Sequence, residues 1–328
     1  MTGGPATEGP ARDRYDAGVD PQPAGAHPPR PDFFIVGSFK AGTSSLYEYL
    51  RAHPQVFMPF HKEPLFFGDD LTRRYGRMGE GAYLALFREA RPGQRIGEAS
   101  AWYLYSSCAA REIKAFAPEA QIIVMLRNPV DVMYAQHSQL LFNAGEDIAD
   151  FGEALAAEPA RKRGERLPPG PVRVENLLYR ESVRFAGQLQ RYLDTFGSDR
   201  VHVIIYDDFS TDTAVAYAAV LEFLGVDASF RPDFAVANAN KRPRFEMLQR
   251  AIYRPPPALL GAVRWLRRFP VVHAVRAAVL RLNSRTGRRP PMDAILRAQL
   301  TREFEPEVRR LEELTGHDLA AWTAASRS

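Results

Sequence analysis

From Phe33 onward, short apolar runs alternate with stretches in which apolar residues recur at helical spacing. The runs Phe33–Val36, Ile96–Ala99, Gln121–Leu126 and Val201–Tyr206 predict strands. Between and after them, Ser44–Ala52, Gly81–Glu89, Ser107–Phe116, Val130–Phe142, Leu177–Thr195 and Ala214–Leu224 predict helices. The strands are largely apolar, so both of their faces are expected to be covered. The implied fold class is α/β, a mostly parallel central sheet flanked by helices. Ligands of such sheets collect at the carboxyl ends of the strands, and Lys40 and Arg127 each stand just past one.

Two stretches break the alternation. Glu158–Arg173, rich in Pro, Gly and Arg, predicts a surface loop or lid. Arg254–Pro291 opens with three prolines and then mixes Leu, Val and Ala with arginines. It predicts an amphipathic helical cap over the core, or alternatively a peripheral membrane contact. Residues 1–30, dominated by Gly, Pro, Ala and scattered charge, predict a flexible tail with no apolar run of leader length. Residues 31–328 then form one expected domain, its basic cap starting near residue 245.

Composition narrows the class. Hydrophobic content of 45% with 25% charged residues is that of a globular protein in water. No run approaches the roughly 20 apolar residues that span a bilayer. The single cysteine, Cys108, excludes a disulfide framework and a cysteine-based metal cluster. It fits a reducing compartment, and the expected location is cytoplasmic. Net charge is only +4, but arginines crowd the chain between Arg231 and Arg289. That distribution favours an anionic partner or, more plainly, a solvated basic face. His137 and His202 make no metal-ligand spacing with neighbouring residues, and Asp207-Asp208 reads as a helix cap or turn. No metal is expected.

The candidate chemistry begins at Gly37-Ser38-Phe39-Lys40-Ala41-Gly42-Thr43-Ser44-Ser45-Leu46. A strand runs into a glycine-bearing loop and then into a hydroxyl-rich helix start, an arrangement that offers backbone N–H groups and a cation to a phosphate. A magnesium–triphosphate loop would carry lysine directly after the second glycine. Here that place is Thr43 and the lysine comes three residues earlier, at Lys40. The loop is therefore expected to hold a phosphate-like group that does not arrive as a magnesium triphosphate.

Three further stretches follow in order: Lys62-Glu63-Pro64-Leu65-Phe66-Phe67, Gly97-Glu98-Ala99-Ser100 and Leu126-Arg127-Asn128-Pro129-Val130-Asp131. With the first, they make residues 32–245 resemble the sulfotransferases that use 3′-phosphoadenosine 5′-phosphosulfate (PAPS), and most of all their bacterial and heparan-type carbohydrate branch. The resemblance implies a P-loop-like sulfotransferase fold and a PAPS donor, with PAP as product. The acceptor would be a hydroxyl or amine of a carbohydrate, lipid-linked or other small molecule, and no nucleic acid is expected as a partner. Ala41, Gly42, Thr43, Ser44 and Ser45 would wrap the 5′-phosphate. Lys40 would meet the oxygen bridging phosphorus and sulfur, where charge grows as the S–O bond breaks. Arg127 would pair with the 3′-phosphate. Glu63 would take the acceptor's proton, with His61 and Lys62 as rivals.

The chain also departs from the family pattern. A serine expected eight residues after Arg127 is Ala135, and Ser138, displaced by about 4.5 Å along the helix, is the possible substitute. Leu65 and Gly68 stand where several relatives carry a histidine and an acid. A proline is missing at Ala101. Lys241 and Arg242, with Arg244 as an equal rival, resemble a basic loop that closes over the cofactor. Ser100 and Tyr103 are expected to line the acceptor or cofactor pocket, and Glu98 to orient Lys40 or the acceptor. Phe66, Phe67, Trp102 and Tyr103 are candidates to stack on an acceptor ring. Two other readings compete: a P-loop kinase-like phosphotransferase, and a non-enzymatic module that binds anions or nucleic acid.

Overall fold

The computed structural model describes residues 29–72, 76–169, 173–234, 241–243, 252–253, 272, 275, 278–279, 282–286 and 289–324. Five parallel strands form the central sheet: β1 (Phe33–Gly37), β2 (Val56–Phe57), β3 (Arg95–Ala99), β4 (Gln121–Leu126) and β5 (Val201–Ile205), in the order β2-β3-β1-β4-β5. After β1 the chain goes first to one side of it and then crosses to the other. This reversal opens a crevice beyond the carboxyl ends of the central strands.

Successive residues of β1 and β4 serve opposite faces, as the two-residue period of a strand requires. Phe34, Val36, Ile122, Val124 and Leu126 join one buried cluster, while Phe33, Ile35, Ile123 and Met125 join the other. All nine are fully enclosed, and each such side chain contributes roughly 1.5–3 kcal/mol by leaving water. Helix α1 (Thr43–Ala52) covers the second face through Leu46, Tyr47, Tyr49 and Leu50. Beyond it come α2 (Glu80–Ala85), α3 (Ala109–Phe116) and α4 (Pro129–Phe142). Pro129 opens α4, and the Asn128 side chain caps it by accepting from Val130 N–H at 2.9 Å.

The predicted lid instead begins with a helix. After α5 (Phe151–Ala156), residues Glu158–Lys162 form α6. The guanidinium of Arg161 is wholly buried against Glu146 at 2.7 Å, and Tyr179 O–H donates to the same carboxylate at 2.7 Å. Ion pairing thus draws in an arginine whose polarity suggested the surface. The single helix expected over Leu177–Thr195 is two, α7 (Tyr179–Ser182) and α8 (Phe185–Phe196). The carboxylate of Glu307 accepts Ala186 N–H at 2.6 Å, so a distant side chain caps the restart.

Next come α9 (Tyr206–Thr211) and α10 (Thr213–Leu224), with Asp207 and Asp208 in the first turn of α9. The 22-residue α11 (Ala294–Thr315) was not anticipated. It packs Leu300, Phe304, Val308 and Leu311 into the core despite Pro306 in its interior, and α12 (Ala320–Thr323) follows. Two short strands, β6 (Lys241–Pro243) and β7 (Ser284–Thr286), pair antiparallel. Most of the expected basic cap lies outside the described residues, as does Arg244. No described helix is long and apolar enough to cross a membrane.

Candidate functional site

The loop after β1 is shaped by close contacts. At Gly37 a Cβ would come within 2.6 Å of Leu104 Cβ, and at Gly42 within 3.2 Å of Met125 Cε. Gly42 has φ +95°, a conformation natural to glycine, and is the residue before α1. Gly42, the residue before α1, supplies no side-chain cap, so the main-chain N–H groups around Thr43 and Ser44 keep the partial positive charge of a helix start. Thr43 and Ser45 are buried beside it.

Lys40 precedes this turn with φ +62°. Its ammonium donates to Gln139 Oε1 at 3.3 Å. Its backbone carbonyl accepts from Arg127 Nη1 at 3.2 Å, and that guanidinium lies 4.5 Å from the centre of the Tyr206 ring. Arg289, stacked 5.3 Å from the Tyr134 ring, adds a third positive charge. Burial, then Arg289, then Arg127 bring the Lys40 ammonium down to about 8. Among the described residues, no carboxylate is ion-paired with Lys40 or Arg127. A cluster of cations at a helix start is the arrangement an anion would stabilise.

Glu63 stands on the other side of Lys40. Its backbone N–H donates to Ala99 O at 3.0 Å, and its Oε2 accepts from Ala101 N–H at 3.0 Å, both at the carboxyl end of β3. Its Oε1 is 2.7 Å from Lys62 Nζ. Glu63 and Leu65 have φ of +61° and +51°, and Leu65 N–H donates to Ser100 Oγ at 3.2 Å. Because β3, β1 and β4 are adjacent, Glu63, Lys40 and Arg127 follow one another along the same rim of the sheet.

Several expectations need correction. Ser100 and Tyr103 are fully buried and line no open pocket. Ser100 holds the Leu65 amide, while Tyr103 O–H accepts from Phe67 N–H at 3.2 Å and donates to Glu98 at 3.1 Å. Glu98 is likewise enclosed and also receives Tyr83 O–H at 2.7 Å. Burial first, and the charge of Glu63 to a lesser degree, push its carboxyl up to about 7 against the opposing pull of those hydroxyls. It supports the floor beneath Glu63 and makes no described contact with Lys40. Phe66, Phe67 and Trp102 are core residues; Trp102 stacks on Phe39 at 4.5 Å and Phe66 on Tyr83 at 4.1 Å.

The ring that faces water is Phe60, 90% exposed and three residues before Glu63. Ser138 donates to Tyr134 O at 2.9 Å within its own helix, and it is its neighbour Gln139 that reaches Lys40. Lys241 and Arg242 lie on β6, whose partner β7 runs toward Arg289; the described contacts of this segment are those of the backbone. Sequence reasoning missed Gln139, Arg289 and Phe60. For Gln139 a signal existed, since it lies four residues beyond Ala135 and so on the same helix face. Among the described residues, no three His, Cys, Asp or Glu side chains are grouped to hold a metal ion.

The chain has recognisable relatives. A family model described as "Sulfotransferase family" matches residues 84–230, a span that includes Arg127 but begins after Lys40 and Glu63. Human heparan sulfate glucosamine 3-O-sulfotransferase 6 is 29% identical over 235 residues, covering 70% of this chain and 62% of the relative. Mouse carbohydrate sulfotransferase 15 is 33% identical over 165 residues, 37% of this chain and 28% of the relative. The chain thus spans less than two thirds of the length of these relatives. A sulfotransferase crystal structure from Alicyclobacillus acidocaldarius is 31% identical with a TM-score of 0.67, covering 90% of this chain and all of that one.

Proposed function

Because this chain belongs to the sulfotransferase family, we propose that it transfers a sulfuryl group from PAPS to a hydroxyl or amine of a carbohydrate or other small acceptor. The observation that carries the reading is the Lys40 ammonium, held among Arg127 and Arg289 beside an uncapped helix start, with Glu63 on the neighbouring strand end. Those residues fit a nucleotide bearing 3′- and 5′-phosphate groups, because they offer two guanidinium groups, one ammonium and the main-chain N–H groups of Thr43 and Ser44 at a helix start, with no carboxylate ion-paired to Lys40 or Arg127 among the described residues.

When bound, the donor supplies a sulfur–oxygen bond whose cleavage leaves negative charge on the bridging oxygen. Lys40 meets that charge with a compact cation, an interaction that strengthens as the bond breaks and so lowers the barrier. Arg127, backed by Tyr206 and tied to the Lys40 carbonyl, holds a phosphate with its planar fork. The N–H groups and hydroxyls from Ala41 to Ser45 hold the other phosphate. Lys241, Arg242 and Ser138 remain candidates for the nucleotide's outer contacts. Glu63, fixed by two main-chain bonds, takes the acceptor's proton as the acceptor oxygen or nitrogen attacks sulfur, and Phe60 offers the acceptor an exposed ring. A cytoplasmic location and a carbohydrate acceptor belong to the same proposal, supported by the composition and by the relatives' names.

Calorimetry with adenosine 3′,5′-bisphosphate tests the reading. Binding is expected to the bisphosphate and not to magnesium ATP; the reverse would favour the kinase-like alternative. Binding to nucleic acid alone, with a steep salt dependence, would favour the non-enzymatic one. In an acceptor screen with labelled donor, Lys40→Ala should cripple turnover with every acceptor. Glu63→Gln should keep bisphosphate affinity and lose about 10²–10⁴-fold in turnover. Unchanged turnover in that variant removes Glu63 from the mechanism.

A further inference from the structure

The two oxygens of Glu63 are held in different ways. Oε2 is bound by Ala101 N–H, a main-chain donor that cannot swing aside, and the Glu63 backbone is itself pinned to Ala99 O. The left-handed conformations of Glu63 and Leu65, with the Leu65 amide on Ser100 Oγ, fix the segment around them. Oε1 is held by Lys62 Nζ at 2.7 Å, at the end of a flexible four-carbon stem. Of the two oxygens, Oε1 is the one held by a side chain that can move away, and Lys62 occupies it. The Lys62 side chain is 20% exposed and that of Glu63 34% exposed, so water reaches the pair.

We propose that Lys62 is a positioning residue that stoppers the base: it occupies Glu63 Oε1 until an acceptor displaces it, and so keeps water from competing as the acceptor. The inference rests on the sulfuryl-transfer reading. The side reaction it suppresses is donor hydrolysis. Water oxygen bonds to sulfur, the S–O bond to the phosphate breaks, and the water's proton passes to Glu63 and then to solvent, leaving sulfate and adenosine 3′,5′-bisphosphate. Water is a small nucleophile with no surface to pack against the site, and it cannot replace the ammonium. An acceptor seated on the rim brings its own contacts and can push the Lys62 stem away. The stopper is local and mobile, whereas the base beneath it is fixed.

The experiment measures sulfate release from PAPS by the full chain with no acceptor present. Lys62→Met should hydrolyse the donor about tenfold faster than wild type. Lys62→Arg, which keeps a cation on Oε1, should stay near the wild-type rate. Lys62→Met with Glu63→Gln should fall back to or below it. Calorimetry with adenosine 3′,5′-bisphosphate and a thermal melt accompany each variant. A Lys62→Met protein that is folded and binds the bisphosphate like wild type but hydrolyses no faster overturns the stopper. So does an increase that survives Glu63→Gln. If the wild-type chain itself fails to bind the bisphosphate, the sulfuryl-transfer reading falls, and that result is distinct from either of these.

Discussion

Lys40 carries its charge in a place that resists it, and replacing it should stabilise the protein. Lys40→Met keeps the length of the side chain and removes the ammonium. The native group sits at about 8 against an ordinary 10.5, through burial first and the charges of Arg289 and Arg127 next. At about 1.4 kcal/mol per pH unit, that difference corresponds to about 3 kcal/mol held against folding at neutral pH. Loss of the bond to Gln139 offsets about 1 kcal/mol, so Lys40→Met should be more stable than wild type by on the order of 2 kcal/mol at pH 7. Between pH 8 and 10.5 the unfolded lysine binds a proton that the folded one has released, so wild-type stability rises with pH across that window. The variant's advantage should therefore shrink toward zero by pH 10. Urea titrations followed by tryptophan fluorescence at pH 7 and pH 10 read both values. A variant less stable than wild type at pH 7, or an advantage that does not shrink at pH 10, would refute the electrostatic account of this site.

Other expectations follow from the same contacts. Arg127→Lys loses the planar fork and its bond to the Lys40 carbonyl, so calorimetry should show bisphosphate affinity falling about tenfold or more, the loss of a charge-assisted bond. Gln139→Leu removes the acceptor that favours charged Lys40; the alkaline limb of kcat/KM for the donor, expected near pH 8, should move to lower pH. Arg161→Met strands the buried Glu146 carboxylate and should cost about 3–5 kcal/mol in denaturant titration. Replacing Glu146 by leucine in the same protein should recover much of that. Phe60→Ser should leave stability within about 0.5 kcal/mol, because its ring is exposed, while raising the acceptor KM with little change in kcat.

Much of the scaffold was readable because local signals agreed with the global fold. Phe33–Gly37 and residues 122–126 are apolar without interruption because both sheet faces are covered. The glycines around Lys40, and Pro129 after Arg127, punctuate the loops that present the two cations. The sheet order follows from none of this, nor does the two-residue strand β2, too short to leave a pattern. The break between α7 and α8 has no glycine or proline to announce it; it depends on Glu307, more than a hundred residues away. Arg161 looked like surface because a polar residue's burial depends on a partner that only the tertiary structure supplies. The aromatic residues after Glu63 looked like a ring-binding wall for the opposite reason, since apolar type alone does not distinguish a pocket lining from packing. Arg289 was one basic residue among many, and its position beside Lys40 is a property of the folded chain.

The strand order has a consequence for how such an enzyme diversifies. The proposed nucleotide grip draws Lys40 and Arg127 from the ends of β1 and β4, whereas the segment carrying the proposed base, Glu63, hangs on the end of β3. Substitutions in the connection between β2 and β3 can therefore retarget the chain to a new recipient molecule while the donor half remains intact.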